Sequence, residues 1–168
     1  CLDAPADVEP YLTDFRALFH GATPLVVCPA STNDVAVVLA ICNEHGVGVV
    51  PHGGNTSYCG GATPGESGDQ IVLSMRRMNR VRVVDADNFS MTVEAGCLLA
   101  EAQAAALAAG RFFPLSLGSE GSCQIGGNLS TNAGGTTALA YGIARAHALG
   151  LEVVLADGRL LNNLNKLK

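Results

Sequence analysis

The first half of the chain alternates compact apolar runs with one amphipathic stretch. Short runs of Val, Leu and Ile bounded by turn residues predict buried strands, and three such runs occupy residues 25–28, 47–50 and 71–74. Between the first two, apolar residues recur at the spacing of one helical face: Val37, Val38, Ile41 and Cys42. The order strand, helix, strand predicts a parallel βαβ unit with a right-handed crossover. A shorter helix is expected before it, over residues 8–19.

This central helix has a recognisable start and stop. Ser31 with Asp34 three residues later resembles a capping box, although Asp takes the place of the usual Glu or Gln. Gly46 is expected to end the helix in the left-handed conformation, which glycine adopts without strain.

The second half changes to longer strands joined by a short turn. Residues 80–85 and 90–95 are separated by only a few turn residues, which predicts antiparallel pairing. An alanine-rich helix is expected over residues 98–109, with Gly110 as its end.

The last predicted strand, residues 148–156, is followed by Asp157-Gly158, a pair typical of hairpin turns, with residues 160–161 as the return. Together these elements predict an α+β fold in two layers. The first is a small parallel βαβ layer, and the second is a mainly antiparallel sheet with flanking helices. We expect one subdomain over residues 1–75 and another over residues 76–168.

Two loops, residues 46–65 and residues 118–135, hold 13 of the 20 glycines. Glycine loses more backbone entropy on folding than any other residue, so this density indicates main chain that adopts positive φ or approaches a ligand closely. The apolar runs that flank both loops favour a cofactor cradle over flexible surface loops. We expect the two loops to converge where the two layers meet.

Both glycine loops are almost free of charge. The first has no charged side chain from Pro51 to Pro64, and the second has only Glu120. A bound phosphate would therefore be held by oriented main-chain N–H groups and small hydroxyls rather than by lysine.

Composition excludes several classes of partner. A formal net charge of -5 and a pI near 5.2 argue against a nucleic acid or an anionic membrane surface. No apolar run approaches the roughly 20 residues that span a bilayer. The six cysteines include no Cys-x-x-Cys pair, so neither a zinc site nor a disulfide framework is predicted. A reducing compartment is expected, either the cytoplasm or, in a eukaryote, the mitochondrial matrix.

The last residues suggest a chain cut from something longer. Leucines at 160, 161, 164 and 167 have a helical spacing with nothing left to pack against. We therefore expect that a substrate domain is missing from this chain.

Familiar nucleotide and hydrolase motifs are absent. The segment Gly46-Val-Gly-Val-Val-Pro51 fails as a Rossmann fingerprint because it precedes a strand and ends in proline. Neither a P-loop nor a Gly-x-Ser-x-Gly elbow is present. Three side chains near the loops leave alternatives open. His52 is a candidate for ligand contact, Glu120 is either a general base or a residue that orders its loop, and Tyr141 either packs over a cofactor or belongs to the core.

The glycine stretches and their flanks resemble a known cofactor domain. Residues 51–57 followed by 71–80, and residues 114–135 followed by 150–158, resemble the FAD-binding domain of the vanillyl-alcohol-oxidase/p-cresol-methylhydroxylase type. The resemblance covers nearly the whole chain from Pro24 on. Within that type the chain is most similar to the FAD-linked D-2-hydroxyacid dehydrogenases, which include D-2-hydroxyglutarate dehydrogenase, D-lactate dehydrogenase and the glycolate oxidase flavin subunit.

This resemblance implies an FAD molecule lying extended between two α+β subdomains. In the first loop it implies cofactor contacts at Pro51, His52, Gly53, Gly54, Asn55, Thr56 and Ser57, the last five wrapping the pyrophosphate. In the second segment it implies contacts along the flavin, ribityl and phosphate regions at Pro114, Leu117, Gly118, Gly121, Ser122, Gly126, Gly127 and Asn128. Contacts near the isoalloxazine are implied at Thr131, Asn132, Ala133 and Gly134. Val154 would offer its main chain to the adenine.

The resemblance also implies an activity, the oxidation of a small 2-hydroxy acid by hydride transfer to flavin N5. The electron acceptor is not identified. In such enzymes the following domain supplies the carboxylate-binding arginines, the metal-binding histidines and the catalytic base, so no catalytic residue and no metal ligand is assigned to this chain. Two alternatives stay open: a same-fold oxidase of sugars or alditols, and a non-catalytic FAD or nucleotide-binding module.

Two departures from the family pattern concern the attachment of FAD. Some members link it covalently through a histidine after the Gly-Gly pair, where this chain has Asn55. Others add a link through a cysteine of the second loop, and Cys123 has a different spacing. FAD is therefore expected to be non-covalent.

Overall fold

The structure of the protein, a computed structural model, describes residues 1–164. The chain divides into two compact units. One unit comprises Cys1–Arg77 and Val153–Leu161, and the other comprises Met78–Glu152 and residues 162–164. Both units contain helices and strands. The mixed helix and sheet composition predicted from the sequence is thus confirmed.

A three-stranded parallel sheet organises the first unit. Its strands are β1 (Val26–Val27), β2 (Gly48–His52) and β3 (Gln70–Ser74), in the order β1-β3-β2. The predicted parallel directions are confirmed, but β1 and β2 are not neighbours because β3 lies between them. The central strand is apolar and buried from Ile71 to Leu73, as expected for a strand covered on both faces.

Helix α2 (Thr32–His45) connects β1 with β2 and begins and ends as predicted. Ser31 Oγ accepts the N–H of Asp34 at 3.1 Å, and the Asp34 carboxylate accepts the N–H of Ala30 at 3.0 Å. The first bond satisfies a donor that the first helical turn would otherwise leave free, and the second fixes the chain just before the helix. Gly46 ends the helix with φ 67°.

The predicted buried face of α2 is partly wrong. Val35 and Cys42 are buried, whereas Val37 and Ile41 are 51% and 53% exposed. The apolar residues of α2 occupy a wider part of its surface than the sheet can bury. Their spacing alone therefore does not show which side of the helix is packed.

The predicted helix over residues 8–19 is wrong. Helix α1 spans only Pro5–Val8, and a 3₁₀ turn at Glu9–Tyr11 follows it. Residues 12–21 then form a loop around Asp14, which we call the Asp14 loop. An Asp side chain that binds nearby N–H groups competes with the helical hydrogen-bond ladder, so the helix does not continue.

The second unit begins with the predicted antiparallel hairpin of β4 (Val81–Asp85) and β5 (Ser90–Val93). Helix α3 (Leu99–Ala108) follows, and Gly110 with φ 68° lies just beyond its end, as predicted. The core of this unit gathers Leu99, Leu115, Cys123 and Ala144.

Helix α4 (Ile125–Thr131) lies within the second glycine loop, where no helix was predicted. Helix α5 (Ala138–Tyr141) and a 3₁₀ turn at Ala144–His147 come next. The interpretation of Tyr141 as a core residue is wrong, because it is 54% exposed and meets the Phe112 ring edge-on at 5.7 Å.

The last strands are β6 (Glu152–Val154) and β7 (Leu160–Asn162), which pair with each other. β6 is shorter than the predicted strand over residues 148–156. The turn between the strands places Gly158 at φ 84°, which confirms the hairpin signal. Of the leucines with helical spacing, Leu167 lies outside the described residues, and the first two lie in β7.

Candidate cofactor site

The first glycine loop leaves the sheet at the carboxyl end of β2, the edge where open α/β sheets bind ligands. Residues 53–57 pass through a left-handed residue, Asn55, with φ 51°. Among residues 1–164, no acceptor is found for any of the main-chain N–H groups of residues 53–57. Successive free N–H groups around a left-handed residue form an anion-binding nest.

His52 lies buried at the base of this loop, only 7% exposed. Its ring meets the Tyr11 ring edge-on at 4.8 Å, and neither ring nitrogen makes a regular hydrogen bond within the described residues. Burial lowers the pKa of His52 below its ordinary 6.5, and the Gly53 backbone opposes this shift only partly. The ring is therefore a neutral imidazole at neutral pH, with one N–H still to donate.

Asn55 directs its side chain away from its own loop. Its Nδ2 donates a hydrogen bond of 2.8 Å to the carbonyl oxygen of Thr13. Thr13 was not singled out in the sequence, and no local signal could have done so, because 42 residues separate the partners.

Val154, expected to face the adenine, lies half-buried on β6 and belongs to the same unit as the first loop. The remaining cofactor residues, from Pro114 to Gly134, belong to the other unit.

Glu120 orders the start of the second glycine loop. Its carbonyl oxygen accepts the N–H of Ala100 at 3.0 Å, and its carboxylate accepts from Gln103 Nε2 at 3.4 Å. These bonds favour the structural interpretation of Glu120 over the general-base alternative. Beside it, the N–H groups of Gly118 and Gly121 have no acceptor among residues 1–164.

The paired glycines at the start of α4 have different surroundings. A Cβ on Gly126 would lie 2.8 Å from Ala95 Cβ and 3.0 Å from Ala95 O, so this glycine permits close packing. A Cβ on Gly127 would meet nothing within 4 Å, and the Gly127 N–H has no acceptor in the described chain. Packing thus requires Gly126 and leaves Gly127 without a structural reason.

Several polar groups that follow Gly127 form hydrogen bonds within their own unit. Thr131 Oγ1 donates to the Gly127 carbonyl at 2.9 Å, and Asn132 Oδ1 accepts the N–H of Arg145 at 3.1 Å. The N–H of Ala133 donates to the Asn128 carbonyl at 2.8 Å. Gly134, by contrast, has an N–H without an acceptor among residues 1–164.

Asn128, predicted to contact the cofactor, is buried in its unit. It is 5% exposed and, together with His147, borders a small cavity of about 20 Å³. Neither Asn128 Nδ2 nor His147 Nε2 has a hydrogen-bond partner among residues 1–164.

Three further residues predicted to contact the cofactor lie between α3 and α4. The carbonyl of Pro114 accepts a hydrogen bond from Thr137 Oγ1, and Leu117 packs on the core of its unit. Ser122 is exposed, and its N–H donates to the Ser119 carbonyl at 2.8 Å.

Comparison with known proteins places these features in a family. The family of FAD binding domains matches residues 23–163. The mitochondrial D-2-hydroxyglutarate dehydrogenase of Bos taurus is 42% identical over 98% of this chain and 30% of that protein. Glycolate oxidase subunit GlcD of Bacillus subtilis is 36% identical over 94% of this chain and 33% of that protein. The chain therefore spans about a third of the length of these relatives.

A solved structure of alkyldihydroxyacetonephosphate synthase shares the fold. Its TM-score is 0.86 at 23% identity, and the match covers 96% of this chain and 34% of that one. No helix within residues 1–164 has the length and apolar character needed to cross a membrane.

Proposed function

Since the chain belongs to the family of FAD binding domains, whose cofactor is FAD, we propose that it is the flavin-binding part of an oxidoreductase that oxidises a D-2-hydroxy acid. Bound FAD would supply the redox chemistry by accepting a hydride at N5, while this chain binds and orients the cofactor. The electron acceptor is unidentified, and no catalytic base is assigned to this chain.

The observation that carries the proposal is the run of free N–H groups at residues 53–57. A diphosphate is an anion, and a nest without lysine suits it because several N–H dipoles share its charge. We propose that Gly53, Gly54, Asn55, Thr56 and Ser57 hold the pyrophosphate through their main chain. His52 adds a neutral N–H donor, and Val154 offers main chain to the adenine.

In the other unit, we propose that the free N–H groups of Gly118, Gly121, Gly127 and Gly134 face the flavin half of the cofactor. Gly127 is the sharpest case, because close approach of a ligand would explain a glycine that packing does not require. We propose two subdomains, residues 1–75 and 76–168, as a small parallel layer followed by a mainly antiparallel one. Residues 153–161 of the second range belong to the same compact unit as the first.

We propose that FAD binds without a covalent bond. Asn55 stands where a linking histidine would stand, and its amide is held by Thr13. Cys123 is only 2% exposed and packs in the core with Leu99 and Leu115, so its sulfur is not accessible to a flavin.

The names of two relatives support the proposed substrate class. One is named as a dehydrogenase of D-2-hydroxyglutarate and another as a subunit of glycolate oxidase, and both names concern 2-hydroxy acids. The bovine protein is named as mitochondrial. We propose a reducing interior compartment, either the cytoplasm or the mitochondrial matrix.

The test uses the full-length protein. Its visible flavin absorption should bleach anaerobically with D-2-hydroxyglutarate or D-lactate, and the L-enantiomers serve as matched controls. After denaturation and ultrafiltration, the yellow colour should pass into the filtrate. Absence of flavin would refute the cofactor assignment, and bleaching only by a sugar or alditol would favour the same-fold alternative. Colour retained on the polypeptide would refute the non-covalent mode.

A further inference from the structure

We propose that Asn55 is a positioning residue, which holds the nest of residues 53–57 in its anion-binding shape by fastening it to the Asp14 loop (residues 12–21). The inference rests on the proposed function. It concerns the side chain of Asn55, whereas the cofactor proposal concerns the main chain of its loop.

The conformation of Asn55 is the first reason. Its φ of 51° lies in the left-handed region, which non-glycine residues enter at a cost, although asparagine does so more readily than most. A nest requires such a residue in order to turn successive N–H groups toward one side. The bond of 2.8 Å from Asn55 Nδ2 to Thr13 O offsets that cost and fixes the turn.

The Asp14 loop is a firm support for this bond. The Asp14 carboxylate accepts the N–H groups of Arg16, Leu18 and Phe19 at 2.7 to 3.1 Å. Asp14 is 4% exposed, and these bonds lower the pKa of its carboxyl group, so it stays charged near neutral pH. The ends of the loop are joined by a bond of 2.8 Å from the Gly21 N–H to the Leu12 carbonyl. Thr13 thus presents its carbonyl from a closed loop.

The same loop supports the glycine segment beyond the nest. The Arg16 guanidinium lies 4.5 Å from the centre of the Tyr58 ring. A Cβ on Gly60 would lie 2.6 Å from the Phe19 ring, so the two segments are in close contact there as well. The Asp14 loop therefore contacts the first glycine loop at several points, and Asn55 is the contact that lies within the nest.

A consequence follows for the ligand. The N–H groups of residues 53–57 remain available because a side chain, and not main-chain bonding within the loop, fixes the loop shape. A site that is already shaped loses less entropy when an anion binds. Removing the side chain should therefore weaken anion binding even though the nest keeps all its donors.

The test compares the full chain with Asn55→Gly, which tolerates the left-handed conformation but lacks the anchor. With FAD and ADP as probes in calorimetry, both Kd values should rise about fivefold to tenfold, the equivalent of one lost hydrogen bond. Without ligand, the NMR order parameters of the amides of residues 53–57 should fall. Asn33→Gly, at an exposed position of α2, adds the same flexibility elsewhere and should leave both Kd values within about twofold.

The outcomes separate this inference from the proposed function. If the unaltered protein binds neither FAD nor ADP, the proposed function fails. If it binds them and Asn55→Gly binds equally well, only the positioning role is refuted. Weaker binding without lower order parameters in the free protein also refutes it, since Asn55 would then contact the ligand directly. Asn55→Asp keeps the size but replaces the amide donor with a carboxylate, which only accepts, and it should reproduce the lower order parameters if Asn55→Gly does not fold.

Discussion

Among the side chains of the first glycine loop, His52 stands apart because burial lowers its pKa. The residue lies 7% exposed, with its ring edge-on to Tyr11 at 4.8 Å. A buried imidazole whose nitrogens make no regular hydrogen bond within the described residues costs folding free energy compared with an apolar ring. A ligand that accepts its N–H would give a reason for keeping it.

The lowered pKa of His52 sets a direction for the pH dependence of stability. The unfolded chain binds a proton at about the ordinary 6.5, and the folded chain does so only at lower pH. The free energy of unfolding should therefore be unaffected by His52 above pH 6.5 and should fall as the pH drops below it. His52→Phe should remove this part of the slope in urea unfolding at pH 7.5 and about 5.5.

The exposed Leu107 of α3 offers a control because its side chain carries no titratable group. Leu107→Gln should keep the slope of the unaltered protein over the same range. If the His52→Phe protein loses stability below pH 6.5 just as steeply as the unaltered protein, His52 is not the group responsible.

At the scale of elements, the β4–β5 hairpin is held by a buried carboxylate. The Glu94 side chain is fully buried and accepts from Arg80 Nη2 at 2.8 Å, and Arg82 Nε lies 3.5 Å away. Hydrogen bonds from Arg80 are the largest cause of the lowered pKa of Glu94. Its stabilising effect is present above its ordinary pKa of 4.5 and is lost as the pH falls further.

We expect Glu94→Gln to lower the free energy of unfolding by about 2 kcal/mol at pH 7, because it leaves buried polar groups with weaker partners. The difference from the unaltered protein should shrink toward pH 3. Arg159→Gln breaks the exposed pair with Asp157 and should cost clearly less than Glu94→Gln, because solvent screens that pair. Equal losses for the two variants, measured by chemical denaturation, would contradict this ranking.

Helix α4 allows packing to be separated from ligand approach. Gly126→Ala should destabilise the protein by about 1 to 3 kcal/mol, since its Cβ would press on the Ala95 backbone. Gly127→Ala should stabilise the free protein by up to about 1 kcal/mol, because its Cβ enters open space within a helix. If Gly127 faces the cofactor, the same alanine should weaken FAD binding. Thermal unfolding and FAD titration of both variants test this, and unchanged FAD affinity of Gly127→Ala would remove Gly127 from the site.

Local signals explain how far the elements could be predicted. The cap at Ser31, the stop at Gly46 and the turn at Gly158 each depend on a few adjacent residues, and all three are present. The Asp14 loop was missed because a carboxylate that binds three main-chain N–H groups leaves no apolar periodicity. Helix α4 was missed because glycines dominate its start, where close packing on Ala95 outweighs their low helix propensity.

In the candidate site, too, local signals were visible in the sequence and distant contacts were not. Composition and glycine density pointed to main chain available to a ligand, and the N–H groups of residues 53–57 have no acceptors among residues 1–164. The support from Thr13 and the different surroundings of Gly126 and Gly127 depend on contacts between residues distant in sequence. Such contacts follow from tertiary packing and are not encoded in any local spacing.

At the scale of the whole molecule, the charges bear on how an anion is recognised. The chain has a formal net charge of -5, and no charged residue occurs from Pro51 to Pro64. Several arginines are already engaged: Arg80 with Glu94, and Arg145 with the α4 carbonyls of Leu129 and Ser130. Long-range attraction would therefore contribute little to the proposed diphosphate binding, which would depend on short-range N–H dipoles.

If main-chain dipoles hold the diphosphate, ADP binding should depend only weakly on salt. Screening acts on separated ionic charges and has little effect on hydrogen bonds at contact distance. Raising NaCl from about 0.05 M to 0.5 M should change the Kd for ADP by less than about threefold, as measured by calorimetry. Thr56→Lys places a charge in the nest, and its ADP binding should become tighter at low salt and clearly salt-dependent. If the unaltered protein already loses tenfold or more in affinity over this range, a basic side chain holds the diphosphate and the main-chain nest does not account for binding.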